Sequence, residues 1–164
     1  MRTIWFSGGD ENTLTRIAEE VGEGLINRDQ NVELVVQGEV QEMLGSGLKD
    51  TPEDKATFID RLGFLGNLLH KNDIFALIVS NNTTVEDRKK VKQNYGNYLQ
   101  INIGAFKDML CDLDLSTKES EKENAKRVIE YLVFERIIPE KGINVYSEDE
   151  EEEIRRRLED LGYV

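Results

Sequence analysis

Short apolar runs alternate with stretches whose apolar residues recur at helical spacing, and this alternation most constrains the chain: it specifies a parallel sheet covered by helices. Thr3–Ser7 is the first run and ends in Gly8-Gly9, a strand followed by a turn. Ile17, Ala18, Val21 and Leu25 then share one face of a helix expected over Leu14–Leu25, capped by Asn12 or Thr13. Val32–Val36, Ile74–Val79 and Tyr98–Ile103 read as three further strands. Between them, Val40, Met43 and Leu44 mark a short helix that stops at Gly45-Ser46-Gly47. Pro52 opens a long helix over Glu53–Lys71, with Phe58, Leu62, Leu65 and Leu69 at helical spacing. Val85–Tyr95 is a basic helix, and Phe106–Leu113 is expected to be another. The order βαβα(α)βαβα is that of a three-layer α/β domain.

Beyond Asp114 the pattern weakens. Ser116–Asn124 has no apolar anchor and reads as a solvated connection, after which Ala125–Phe134 resumes a helical period. Pro139-Glu140-Lys141-Gly142 breaks the chain, and Ser147 with Glu150 forms a capping-box pattern for a last helix. Acids at Glu148–Glu153 and arginines at Arg155, Arg156 and Arg157 both complement that helix's dipole. The expected division is therefore a domain over 1–134 and a linker with an acidic and basic C-terminal helix over 135–164.

Charge narrows the partners. Asp and Glu number 33 against 21 Lys and Arg, a net charge of -12, which argues against nucleic acid or an anionic membrane. No apolar run approaches the ~20 residues that cross a bilayer, so a cytoplasmic protein is expected. A single cysteine, Cys111, and a single histidine, His70, leave little for thiol, zinc or triad chemistry.

A strand, a glycine turn and a helix at the start of such a chain form the setting of a nucleoside triphosphate loop. Phosphate binding there needs inward backbone N–H groups, a second glycine that lets the loop curl, a neutralising lysine and a Mg²⁺-binding hydroxyl. The spacing is Gly8-Gly9-Asp10-Glu11-Asn12-Thr13-Leu14-Thr15. Gly8 and Thr15 stand where G-x-x-x-x-G-K-[ST] requires them, but Thr13 replaces the second glycine and Leu14 replaces the lysine. Asp10 and Glu11 add charge of the wrong sign.

Position by position, Ile4–Asp114 resembles the adenylylsulfate kinase family. The resemblance is carried by Trp5-Phe6-Ser7-Gly8, by Val40 with Leu44, by Pro52-Glu53-Asp54-Lys55 and by Ile59 with Arg61-Leu62-Gly63. Val91 and the strand Leu99–Ile103 continue it in the same order and spacing. It implies a P-loop-type parallel sheet, an ATP site on the loop and an adenylylsulfate site beyond the second strand. The departures fall on chemistry. The family's Asp-Gly-Asp turn reads Val36-Gln37-Gly38 in ungapped register, or Gln37-Gly38-Glu39 with a one-residue gap that saves one acid; its next Arg reads Gln41, and its Arg and Asn in the following helix read Lys55 and Phe58. Its Ile-Ser-Pro stretch reads Asn81-Asn82-Thr83, Leu113 replaces the Arg before Asp114, and the basic lid that should follow is missing.

The expectation is a catalytically inactive relative, a nucleotide-binding or regulatory module tied to sulfate activation, that pairs as a homodimer. The residual nucleotide-binding candidates are Gly8, Gly9, Asp10, Glu11, Asn12, Thr13 and Thr15, and the substrate-side candidates are Gln37, Gln41, Lys55 and Arg61. The alternative is an active kinase or nucleotide hydrolase with ATP or ADP bound through Mg²⁺ on Asp10, Glu11 and Thr15. Plainer roles are also open. Gly8-Gly9 can be a simple turn, Asp10 and Glu11 can complement a helix N-terminus, His70 can be a surface group facing a helix C-terminus, and Cys111 can be core. Arg88-Lys89-Lys90 with Lys92 reads as a solvated basic face.

Overall fold

The computed structural model describes residues 2–81, 83–96, 98–104, 111–140 and 156–157. Strand β1 (Thr3–Ser7) is buried along its whole length. Its side chains alternate, Ile4 and Phe6 to one face of the sheet and Trp5 to the other. Helix α1 (Glu11–Ile26) leads to β2 (Asn31–Val36), which passes directly into α2 (Gln37–Leu44). Then come α3 (Pro52–Lys71), β3 (Ile74–Val79), α4 (Val85–Tyr95), β4 (Leu99–Ile103), β5 (Leu113–Leu115) and α5 (Glu121–Phe134). The strands form one parallel sheet in the order β2-β3-β1-β4-β5.

Two cores follow from the alternation. On one face α1 and α5 pack Leu14, Ile17, Val21, Leu25, Val128 and Leu132 against Ile4, Phe6 and Leu77. On the other, α3 and α4 pack Phe58, Ile59, Leu62 and Val91 against Trp5, Ala76, Ile78 and Tyr98. Each fully buried leucine or phenylalanine contributes about 1.5–3 kcal/mol, so the sheet is fixed from both sides. From β1 the chain crosses to the edge strand β2 and returns to β3 beside β1, then builds the other side of β1 through β4 and β5. That reversal leaves a crevice beyond the carboxyl end of β1, the place where open α/β sheets bind ligands.

Four expectations need correction. Helix α1 begins at Glu11 rather than Leu14, because Asp10 and not Asn12 or Thr13 is its cap. Leu113 opens a fifth strand instead of closing a helix: it pairs with Ile101, and the backbone of Asp112 also bonds Gln100. The rest of that expected helix, 106–110, lies outside the described residues. Within Ser116–Asn124, Ser120 and Glu123 form a capping box that starts α5 at Glu121. The anchor missing from that stretch is polar: Asn124 is buried and holds both the N–H and the C=O of Ser116. The basic face of α4 is also only partly solvated. Arg88 is buried and donates to the Thr83 carbonyl and hydroxyl, while Lys92 lies 4.9 Å from the centre of the Tyr98 ring.

The core continues past Phe134 to Ile138, which is buried with Leu132 and Val128. Of the expected C-terminal helix, Arg156 and Arg157 are helical and exposed, and the remainder lies outside the described residues.

Candidate functional site

Between β1 and α1 stand only Gly8, Gly9 and Asp10. Gly8 turns at φ 96°, and a Cβ there would collide with Asn102 Oδ1 and lie 2.6 Å from the Ile103 carbonyl, so this position requires glycine. Asp10 accepts from the Thr13 N–H at 3.0 Å, and the Leu14 N–H bonds the Asp10 carbonyl at 3.0 Å. Hydrogen bonds from Thr13, its hydroxyl first and then its N–H, lower the Asp10 carboxyl below its ordinary range. Asn12 and Thr13 sit in the first turn of α1, Thr15 is half-buried one turn on, and Leu14 is fully buried in the core. The backbone N–H groups at Thr13 and Leu14, which a phosphate loop would turn toward its ligand, are bonded within the helix.

Glu11 has a different partner. Its Oε2 accepts from the Gly38 N–H at 3.2 Å. Gly38 lies in the first turn of α2, whose own cap position, Val36, has no side chain able to accept. A carboxylate from the β1–α1 turn thus satisfies the start of the helix after β2.

A cleft of about 700 Å³ opens near this contact, lined by α2, the turn after it, the start of α3 and the segment between β3 and α4. Its lining includes Gln37, Gln41, Lys55, Phe58, Asn81 and Thr84. Three of the four substrate-side candidates are therefore brought together. The Ser80 hydroxyl donates to Gln37 Oε1 at 2.6 Å, which leaves the Gln37 amide NH₂ as the group to offer a ligand. Lys55 pairs with Asp50 at 2.7 Å, and that ammonium holds the Asp50 carboxyl below its ordinary range. Arg61 is not part of the cleft. Its Nη1 donates to the carbonyls of Leu44 at 2.5 Å and Ser46 at 3.3 Å, closing the C-terminal end of α2.

Sequence reasoning missed Lys49 and Asp50, which line the same cleft. Asp54 Oδ2 accepts from the Lys49 N–H at 2.8 Å and fixes that segment. The signal was the Thr51-Pro52-Glu53-Asp54 start of α3, since a capped N-terminus pins the residues just before it. Among the described residues no group of three or more His, Cys, Asp or Glu side chains is placed to hold a metal ion.

The remaining single residues fall elsewhere. His70 is half-buried near the end of α3, and burial, ahead of nearby positive charge that includes Arg2, lowers its pKa. Cys111 is half-buried rather than core and precedes β5. Burial first, then Asp114, pushes its thiol up to about 11, which keeps it in the thiol form at neutral pH.

Five parallel strands in this order, helices on both faces and a glycine turn after the central strand define an α/β protein of the P-loop type. Residues 1–125 match the adenylylsulphate kinase family, and the chain belongs to that family. An adenylyl-sulfate kinase of Deinococcus deserti is 31% identical over 114 residues, covering 70% of this chain and 63% of that protein. The chain thus spans less than two thirds of that relative's length. An APS kinase of Mycobacterium tuberculosis, solved with AMPPNP and APS, superposes with a TM-score of 0.70 at 18% identity, over 80% of this chain and 96% of that one. A hexameric APS kinase from Thiobacillus denitrificans gives a TM-score of 0.72 at 18% identity, over 83% of this chain and 29% of that one. At such identities the likeness is one of fold.

Proposed function

We propose that the chain is a member of its family that does not transfer phosphate, and that it binds an adenosine-containing ligand in the cleft as a regulatory module of sulfate activation. One observation carries this reading: α1 begins at Glu11, so the segment that would wrap a triphosphate is already helix, with Leu14 buried where the lysine belongs. Phosphoryl transfer depends almost wholly on positioning and charge neutralisation. The residues present do not fit a magnesium triphosphate. The N–H groups are bonded to Asp10, the carboxylates of Asp10 and Glu11 already serve helix starts, and no lysine approaches from the loop. The ligand class rests on family membership and on the complex of the mycobacterial relative with APS.

Association belongs to the same proposal. Helix α3 buries Phe58, Ile59 and Leu62 against the sheet yet leaves Phe64 55% and Leu68 46% exposed. We propose a homodimer through this second stripe, in line with the oligomeric relative. The decisive experiment is isotopic phosphate transfer from ATP to adenylylsulfate by the full chain with Mg²⁺. Turnover below ~0.1 s⁻¹, against the ~10 s⁻¹ of a typical enzyme, is expected. Turnover near that typical value would overturn the reading in favour of an active kinase.

A further inference from the structure

Every helix that starts at the carboxyl edge of the sheet around the cleft is capped by the chain's own oxygen atoms. Asp10 caps α1, Glu11 holds the Gly38 amide at the start of α2, Thr51 caps α3, and Thr84 with Asp87 forms a capping box on α4. Helix N-termini are where a fold of this kind holds phosphate and sulfate, through free N–H groups and the positive end of the dipole. Here the chain already occupies a first-turn N–H of each start, and three of the four caps bring a carboxylate.

The cleft's own charges balance. Lys49 and Lys55 stand against Asp50 and Asp54, and Lys55 is already paired with Asp50. Behind the lining, the Asp87 carboxylate accepts from the Thr84 N–H and hydroxyl, and Glu11 accepts from the N–H of Gly38, next to lining residue Gln37. With them, and with buried Arg88 donating to Thr83 of the same lining, four carboxylates stand against three cations, of which only the two lysines are exposed to a ligand. An anionic ligand would have to displace a carboxylate from Lys55 or rely on Lys49 alone, in the field of a chain with net charge -12. The neutral groups suit a different guest. Phe58, Leu48 and Ile59 supply an apolar wall, while Gln37, Gln41 and Asn81 offer amides. A volume of about 700 Å³ accommodates a purine nucleoside.

We infer that the cleft selects the uncharged nucleoside and rejects its 5′-phosphate or 5′-phosphosulfate esters. This rests on the reading that an adenosine-containing ligand binds here. The full chain would be titrated calorimetrically with adenosine, AMP and adenylylsulfate at low and at physiological ionic strength. Adenosine is expected to bind at least ~10-fold more tightly than AMP or adenylylsulfate at low salt, with the gap narrowing as salt screens the carboxylates. Asp50→Asn, which frees Lys55 at an exposed position, should shrink the adenosine-to-AMP ratio several-fold. AMP or adenylylsulfate binding as tightly as adenosine overturns the selectivity and leaves the ligand-binding reading standing. No binding by any of the three overturns both. A ratio that Asp50→Asn does not move overturns the electrostatic account.

Discussion

Leu14→Lys restores the residue that a phosphate loop uses, and the structure predicts that it destabilises the protein instead of reviving the loop. Leu14 is 0% exposed, packed among Phe6, Ile17 and Ala18 on the α1 face of the sheet. Removing its burial costs about 1.5–3 kcal/mol. The new ammonium has no partner in that core, so burial depresses its pKa, and a fall of roughly two units adds about 3 kcal/mol at neutral pH. The sum, about 5 kcal/mol, is a large fraction of a domain's stability and corresponds to a loss of roughly 10–20 °C in Tm. Thermal and urea unfolding followed by circular dichroism measure it, with Leu14→Met as a near-isosteric control that loses less than about 1.5 kcal/mol. The deficit has a pH signature. Between the lowered pKa of the folded state and the ordinary ~10.4, the unfolded chain binds the extra proton, so stability recovers as pH rises toward 10. A Leu14→Lys protein as stable as the parent that also binds Mg-ADP would refute the closed loop. The same change combined with Thr13→Gly asks the question again with the loop's curl restored.

Gly8→Ala should lose at least ~2 kcal/mol by urea unfolding, since the new Cβ meets Asn102 and the Ile103 carbonyl at a positive φ. Glu11→Ala should cost about 1 kcal/mol and speed hydrogen exchange at the Gly38 amide, because that amide loses its acceptor. Phe64→Asp with Leu68→Asp should give a monomer by light scattering at ~0.1 mM, where the parent is expected near twice 18.8 kDa. His70 has its pKa lowered from 6.5 by burial first, so the unfolded chain takes up the proton more readily and stability falls as pH drops through about 6.5; His70→Gln should flatten that part of the stability profile.

The sheet was legible because its strands are nearly continuous apolar runs, as strands covered on both faces must be. β1 and β3 fall where the sequence places them, and α3 begins at the Pro52 that announces it. What escaped was polar or short. β5 has three residues with only Leu115 buried, too little apolar periodicity to register. The start of α5 depends on Asn124, a buried amide in a run that composition assigns to solvent. Sequence alone caps α1 at Asn12 or Thr13, but the cap is Asp10, and the choice is made in three dimensions. Capping at Asp10 places Leu14 a turn inside the helix, on the same face as Ile17, Val21 and Leu25. Of the residues drawn from resemblance, Gln37, Gln41 and Lys55 line the cleft, whereas the Arg61 guanidinium reaches back to carbonyls of α2 and the turn after it.

These failures share a cause that bears on function. A helix start can be completed by a ligand's anion or by a side chain of the protein, and local sequence shows only that an acceptor is present, never which helix it serves. Glu11 makes the difference concrete: it lies on α1, yet the amide it satisfies is 27 positions away on α2. Where the ligand completes the helix starts, the empty protein carries unsatisfied N–H groups at its crevice, and binding stabilises the fold. Where the chain completes them, the empty protein is already satisfied and an incoming anion must compete with a tethered carboxylate. The acids that a family comparison reads as lost chemistry are, in this fold, the groups that hold the turn after β1, the start of α2 and the rim of the cleft in a single arrangement.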